Sequence, residues 1–310
     1  MARPVFFLVS QDGEPVQLNN EMAPKTVEAS RAAHQGLWRI GDEMGFPVTN
    51  FPHVQVVEEL ASMWKSTVGD ERRTVGLHSH PWKDKLLGYE GPLSSPHWGG
   101  LTEDEQIRLL KWARQKILDK TGILVHDFRS GNFSTNKSIH KTLAAAGFTG
   151  SSCSAPGHDK KDTFSSWPNA EPYPYWGNEG DPFRKGTLRL VEFPQSMDLS
   201  KIANVNGYPR HPDLTPDIAW PDFGFPYKET MNNSLDQQLE AGNPFLYFSS
   251  LTHNHVDYSN DQEPQSVRIR EIFETAKEVC AERGFKLVPV TLTQAKRYYE
   301  EICPYAGAPE

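Results

Sequence analysis

Cysteine is scarce in this chain. Cys153, Cys280 and Cys303 are odd in number, widely spaced and without a C-x-x-C pair. They read as reduced thiols, which excludes a disulfide framework or a zinc knuckle as the basis of the fold. No apolar run approaches the roughly 20 residues a helix needs to span a bilayer. Positive charge is in deficit, with 32 Lys and Arg against 40 Asp and Glu and a formal net charge of −8. That balance argues against nucleic acid as a partner, and its long-range repulsion disfavours a polyanionic substrate. Internal repeats, low-complexity tracts and linkers are also missing, so one domain over 1–310 is the simplest organisation. The apolar run Val5-Phe6-Phe7-Leu8-Val9 is shorter than a signal-peptide core and lacks an A-x-A-like exit. It reads as a first strand, and together with the reduced thiols it sets the expectation of a cytoplasmic protein.

The chain does carry 11 His, 8 Trp and 24 Pro, and its 37% hydrophobic and 23% charged residues suit a globular protein. Strand and helix patterns alternate, which predicts an α/β fold with a parallel sheet or barrel. A strand at 4–10 should end in the polar turn Gln11-Asp12-Gly13-Glu14, and a helix follows over 24–44 with Gly45 as its C-cap. A strand over 47–56 and a short helix over 57–65 precede Thr74-Val75-Gly76-Leu77. The capping box Thr102-Glu103-Asp104-Glu105 opens a helix that closes near Gly122. Further strands are expected at 123–128, 187–193, 245–249 and 285–290, with helices at 137–146, 229–241, 265–283 and from Thr293. The stretch 157–226 is rich in aromatics and prolines and too long for an ordinary connection, a property often tied to function.

Several polar groups directly follow predicted strands: Asp12 and Glu14, His78 and His80, Arg129, and His253 and His255. The carboxyl ends of parallel strands share one rim, so these groups should converge there. His78-Ser79-His80 places two imidazoles on one side of an extended backbone. A carboxylate from Asp12 or Glu14 would complete a three-ligand site for Zn2+, with Ni2+, Co2+ or Fe2+ as alternatives. Arg129 suits either a carboxylate clamp or a structural ion pair. Trp82, Trp98 and Trp176 are candidate sugar-stacking groups, with packing of a long loop as the competing role.

Thr74-Val75-Gly76-Leu77-His78-Ser79-His80-Pro81-Trp82 resembles the second motif of the polysaccharide deacetylase-like superfamily, known as the NodB-homology superfamily or carbohydrate esterase family 4. The likeness is to the branch in which the usual H-x-x-x-H-P is shortened to H-x-H-P-W. Leu101-Thr102-Glu103-Asp104-Glu105-Gln106, Phe128-Arg129-Ser130-Gly131-Asn132-Phe133 and Gly147-Phe148-Thr149-Gly150-Ser151-Ser152 match that branch too. So do Asp181-Pro182-Phe183 and Leu190-Val191-Glu192-Phe193-Pro194, and the likeness is strongest over 74–152. The resemblance implies a distorted (β/α) barrel with the irregular insertion at about 157–226. It also implies a divalent metal, usually zinc, held by Asp12, His78 and His80.

Two positions depart from the family pattern. Gln11 stands where the family has its catalytic base, and Ser249 and Ser250 stand where its acid histidine is expected. Glu14 could then serve as base from a shifted position or as a further ligand, with His253 or His255 as acid and Arg129 orienting the base or the substrate. The implied activity is metal-dependent removal of an acyl group, N-acetyl first, from a sugar or glycan, as in surface-polysaccharide biosynthesis. A non-sugar amide substrate and a catalytically silent glycan-binding protein are the alternatives.

Overall fold

The first strand sets the architecture. In the computed structural model, which describes residues 2–205 and 207–305, β1 (Pro4–Gly13) is buried along nearly its whole length. Its side chains alternate between two apolar environments. Val5, Phe7 and Val9 pack under helices, in contact with Phe46, Phe248 and Phe273. Phe6 and Leu8 join Phe51, Val191, Phe193 and Tyr247 in a second cluster. Burial on both faces is what a central parallel strand requires.

The chain continues through α1 (Val27–Met44), β2 (Val48–Pro52), α2 (Val54–Glu59), α3 (Ala61–Lys65), β3 (Arg73–Val75), β4 (Leu77–Ser79), α4 (Pro81–Leu86), α5 (Glu103–Thr121), β5 (Asp127–Ser130), α6 (Ile139–Ala145) and β6 (Gly150–Ser151). The stretch 157–226 holds the hairpin β7 (Asp159–Lys160) and β8 (Ser165–Ser166), then β9 (Tyr175–Gly177), β10 (Leu188–Glu192) and a second hairpin, β11 (Ala203–Val205) with β12 (Tyr208–Arg210). It is followed by α7 (Tyr227–Glu240), β13 (Leu246–His253), α8 (Pro264–Glu282), β14 (Lys286–Val290) and α9 (Leu292–Ile302).

The strands form two curled sheets, β13-β1-β2-β3 and β4-β5-β6-β10-β9, with β14 beside the first half of β1; all neighbours are parallel except β9 on β10. The chain crosses from one sheet to the other at Gly76, between β3 and β4. At the other seam the described residues form no ladder between β10 and β13. There Ser196 and Ser249 exchange hydrogen bonds, each backbone N–H donating to the other's hydroxyl at 2.8 Å, and the Tyr247 hydroxyl donates to the Pro194 carbonyl. The result is the distorted (β/α) barrel that the motifs implied. The capping box at Thr102 and Glu105 is formed, and Gly122 closes α5 in the left-handed conformation that glycine tolerates best.

Three boundaries that shape the site differ from the sequence reading. The polar segment at 11–13 is strand rather than turn, because Asp12 pairs in register with Phe51 and His253. The strand expected at 245–249 accordingly runs on to His253, since the longer β1 offers it a partner. Likewise β5 is displaced toward the rim from the expected 123–128, because Arg129 and Ser130 pair with His78 and Ser79. No helix among the described residues is long and apolar enough to cross a membrane.

Candidate metal centre and its cavity

Period-two alternation along β1 places Asp12 on the same face as Phe6 and Leu8, and Glu14 follows on that face just beyond the strand. β4 brings His78 and His80 to the adjacent rim. Glu14 Oε1 lies 3.1 Å from His78 Nε2 and 2.9 Å from His80 Nε2, and the two imidazole nitrogens are 3.1 Å apart. All three residues are buried and meet as a potential metal-binding group. The expected ligand set was Asp12, His78 and His80; the carboxylate that meets the two histidines here is that of Glu14. Asp12 stands one step behind, with Oδ2 3.7 Å from His78 Nδ1. The physical reason is the extended strand, which carries Glu14 past the rim while Asp12 stays below it.

The donor set suits a cation. His78 Nδ1 lies 3.2 Å from the Arg129 carbonyl oxygen, which can only accept, so Nδ1 carries the proton and Nε2 presents a lone pair toward Glu14 and His80. Burial lowers the His80 pKa to about 4 despite the attraction of Glu14, which keeps the ring neutral near pH 7. For Glu14, burial alone would raise the pKa, but its interactions with His80 and His78 outweigh it and hold the carboxyl well below its usual value. Imidazole nitrogens and a carboxylate are ligands of the borderline class that includes zinc.

The supports around this triangle are local and specific. Asn254 clamps the Glu14 backbone: its side-chain oxygen accepts from the Glu14 N–H at 2.7 Å and its amide donates to the Glu14 carbonyl at 3.1 Å. Lys83, buried on the first turn of α4, donates to Glu14 Oε2 and so leaves Oε1 to the histidines. Ser79 donates to Asp84, which ties the ligand strand to α4, and His53 Nε2 at the start of α2 lies 3.2 Å from the same carboxylate. A Cβ on Gly131 would lie 2.2 to 2.5 Å from the His80 ring, so only glycine permits this approach. Asn132 and Phe133 follow at φ 58° and 54°, a left-handed backbone that non-glycine residues seldom adopt and that often marks functional sites.

Arg129 is fully buried and binds Asp12. Its Nη1 donates to Asp12 Oδ1 at 2.8 Å, Nη2 to Ser152 Oγ at 2.9 Å and Nε to the Ser152 carbonyl at 3.2 Å, with the guanidinium over the Phe51 ring. Of the two sequence readings for this residue, carboxylate clamp and structural ion pair, its geometry combines both. Gln11 has the opposite parity, and both atoms of its buried amide lack a hydrogen-bond partner. Its side chain therefore faces away from the site.

His253, at the end of β13, donates from Nδ1 to Asp217 Oδ2 at 2.6 Å. Burial works against its protonation, but the Asp217 hydrogen bond and charge prevail and raise its pKa to about 9. His255 lies half-buried two residues on, with its ring 5.7 Å from that of His253, and does not line the cavity. The three tryptophans separate. Trp82 is 37% exposed, next to His80. Trp98 is fully buried: its indole N–H donates to the Ser79 carbonyl at 2.8 Å and its ring packs on Phe128. Trp176 is buried between Tyr299 and Tyr305 and donates to the Cys303 carbonyl. Both buried indoles pack the fold, which corrects their placement at a substrate rim.

Asp12, Glu14, His78, His80 and His253 open on one cavity of about 390 Å3, within the range of ligand pockets. Its far wall comes from the irregular stretch, through His158, Lys160, Tyr208, Arg210 and Asp217 among others. Lys83, Asn254 and Asp217 went unnoticed in the sequence. Only Asn254 had a visible cue, lying between the two noted histidines.

In sequence the chain matches no protein-family model and no curated protein. In structure it is similar to a protein of Mycobacterium smegmatis described provisionally as a polysaccharide deacetylase, at 15% identity and TM-score 0.56, covering 100% of this chain and 95% of that one. A probable polysaccharide deacetylase from Pseudomonas aeruginosa PAO1 aligns at 13% identity and TM-score 0.58, covering 98% and 93%. Puue allantoinase aligns at 14% identity and TM-score 0.60, also covering 98% and 93%. With these structures the chain shares its fold, a distorted (β/α) barrel.

Proposed function

We propose that this chain is a divalent-metal-dependent hydrolase that removes an acyl group, N-acetyl first, from an amino sugar or glycan. The observation that carries this reading is the convergence of Glu14, His78 and His80 on a cavity that also holds an arginine-clamped carboxylate and a carboxylate-paired histidine. Glu14, His78 and His80 would hold the metal, with zinc the best match and Ni2+, Co2+ or Fe2+ the alternatives. Once held by these residues, a divalent metal would supply polarisation of the amide carbonyl and a lowered pKa for bound water. Asp12 takes the proton of the attacking water. Arg129 fixes Oδ1, so Oδ2 is the accepting oxygen. His253 returns a proton to the departing amine, its ring held by Asp217. Arg129 touches no substrate and acts as a positioning residue.

The test is elemental analysis beside a His78→Ala,His80→Ala variant, with acetate release from N-acetylated sugars measured on the same samples. About one metal per chain, lost in the variant together with acetate release, is the expected result. Metal that loads without acetate release would point to a different amide or to a silent glycan-binding protein. No metal in either sample would sink the hydrolase reading. The second substrate class, a cyclic amide or ureide, is favoured by the burial of Trp98 and Trp176, which removes two stacking faces from the cavity. The allantoinase with the same barrel is consistent with it.

A pH profile follows from His253. With its pKa at about 9 against an ordinary 6.5, it is protonated at neutral pH. Turnover should decline as pH rises through about 9, and His253→Gln should remove that alkaline limb along with most activity. The same pairing favours the folded state fully below about pH 6.5. That contribution fades as pH rises through about 9. An alkaline limb unchanged in His253→Gln would assign the acid to another group.

A further inference from the structure

Lys160 and Arg210 stand on different hairpins, yet both face the cavity that contains the Glu14, His78 and His80 triangle. Lys160 forms no ion pair among the described residues and rests its ammonium 4.7 Å from the centre of the Tyr208 ring. Arg210 pairs with Asp213 Oδ2 at 3.5 Å. The nearby carboxylates are already engaged. Asp213 Oδ1 accepts from the Trp220 indole at 2.7 Å and the Thr215 N–H at 2.9 Å, while Asp217 serves His253 and Thr252. Asp162, also on the cavity wall, is exposed and makes no ion pair with Lys160. His158 stands beside these cations. Its Nδ1 faces Ser165 Oγ at 2.9 Å, and its buried Nε2 has no partner.

Lys160, Arg210 and His158 thus bring two cationic groups and one unpartnered ring nitrogen to one side of a cavity that also carries Asp12, Glu14, Asp162, Asp213 and Asp217. Burial and then Arg210 lower the Lys160 pKa, and burial, Arg210 and Lys160 lower that of His158 to about 4. Cations held together in a partly desolvated wall repel one another unless an anion lies between them. We propose that Lys160, Arg210 and His158 Nε2 form a subsite for an anionic substituent, a carboxylate, carried by the substrate away from its scissile amide. Arginine's planar fork and the lysine ammonium match a carboxylate with charge-assisted hydrogen bonds. This inference rests on the hydrolase reading for its substrate and extends it from an N-acyl sugar to an acidic one.

The test uses the metal-loaded protein and three probes that differ only at one carbon: N-acetylglucosamine, the corresponding uronic acid with a carboxylate at C6, and the 6-phosphate. Acetate release and calorimetric binding are measured for each, in wild type and in Lys160→Gln and Arg210→Gln. The uronic acid should be preferred over the neutral sugar by about tenfold or more in kcat/KM. Each substitution should lower that ratio by about tenfold, chiefly through KM, and added salt should weaken it. Preference for the 6-phosphate over the uronic acid would replace carboxylate with phosphate as the group recognised. Equal use of neutral and charged sugars, or binding of neither charged probe, would overturn the subsite. Acetate release without charge preference would overturn this inference and leave the hydrolase intact. Charge-dependent binding without acetate release would do the reverse.

Discussion

Glu14→Gln should reduce metal affinity by more than about 100-fold, beyond the 10–100-fold usual for outer partners, while Asp12→Asn should keep the metal and lower turnover by about 10^2–10^4-fold. The contrast arises from one strand. Asp12 and Glu14 share a face, yet only Glu14 Oε1 comes within 3.1 Å of both histidine Nε2 atoms. Asp12 spends Oδ1 on Arg129. Glutamine suits the test because it preserves the length of the side chain and an oxygen acceptor for Lys83, so a folded protein is retained. The checks are metal content after dialysis against a graded chelator series and acetate release at saturating metal. If Asp12→Asn lost the metal and Glu14→Gln kept it, the two carboxylates would exchange roles.

This exchange shows where sequence legibility stopped. The histidine pair was readable because H-x-H on an extended backbone puts both rings on one side whatever surrounds it. The capping box at Thr102 and the helix to Gly122 were readable for the same reason, being patterns of near neighbours. Which carboxylate meets the two histidines depended on how far β1 runs, and that is decided by pairing with β13, some 240 residues away. A polar tetrapeptide looks like a turn until a partner strand extends beside it. Asp217 and Lys83 were invisible for a related reason, since their roles arise from packing against His253 and Glu14 and no spacing announces it. The tryptophans were ambiguous in principle. An indole stacks on a sugar or fills a core with equal chemistry, and only the burial of Trp98 and Trp176 separates those uses.

Arg129→Leu should destabilise the fold by about 3–5 kcal/mol, the penalty for stranding one member of a buried ion pair. Arg129 and Asp12 lie 2.8 Å apart with almost no exposure, so leucine would take the guanidinium away from the Asp12 carboxylate and remove one donor from Ser152 Oγ, which still donates to the Phe193 carbonyl. The loss is expected to be asymmetric. Combining Arg129→Leu with Asp12→Asn removes the unpaired charge, so the double variant should be more stable than Arg129→Leu alone. Metal content should persist in both. His78 donates to the backbone carbonyl of residue 129, which the substitution retains, and neither side chain belongs to the ligand triangle. Turnover should nevertheless fall in Arg129→Leu, because the accepting oxygen of Asp12 is no longer held in place. Denaturant unfolding of the two single variants, the double variant and wild type, paired with metal analysis, measures each part. A cost below about 1 kcal/mol for Arg129→Leu, or a double variant no more stable than it, would mean that the Arg129–Asp12 pair contributes little to the fold. Unchanged turnover in Arg129→Leu would then remove the positioning role from Arg129.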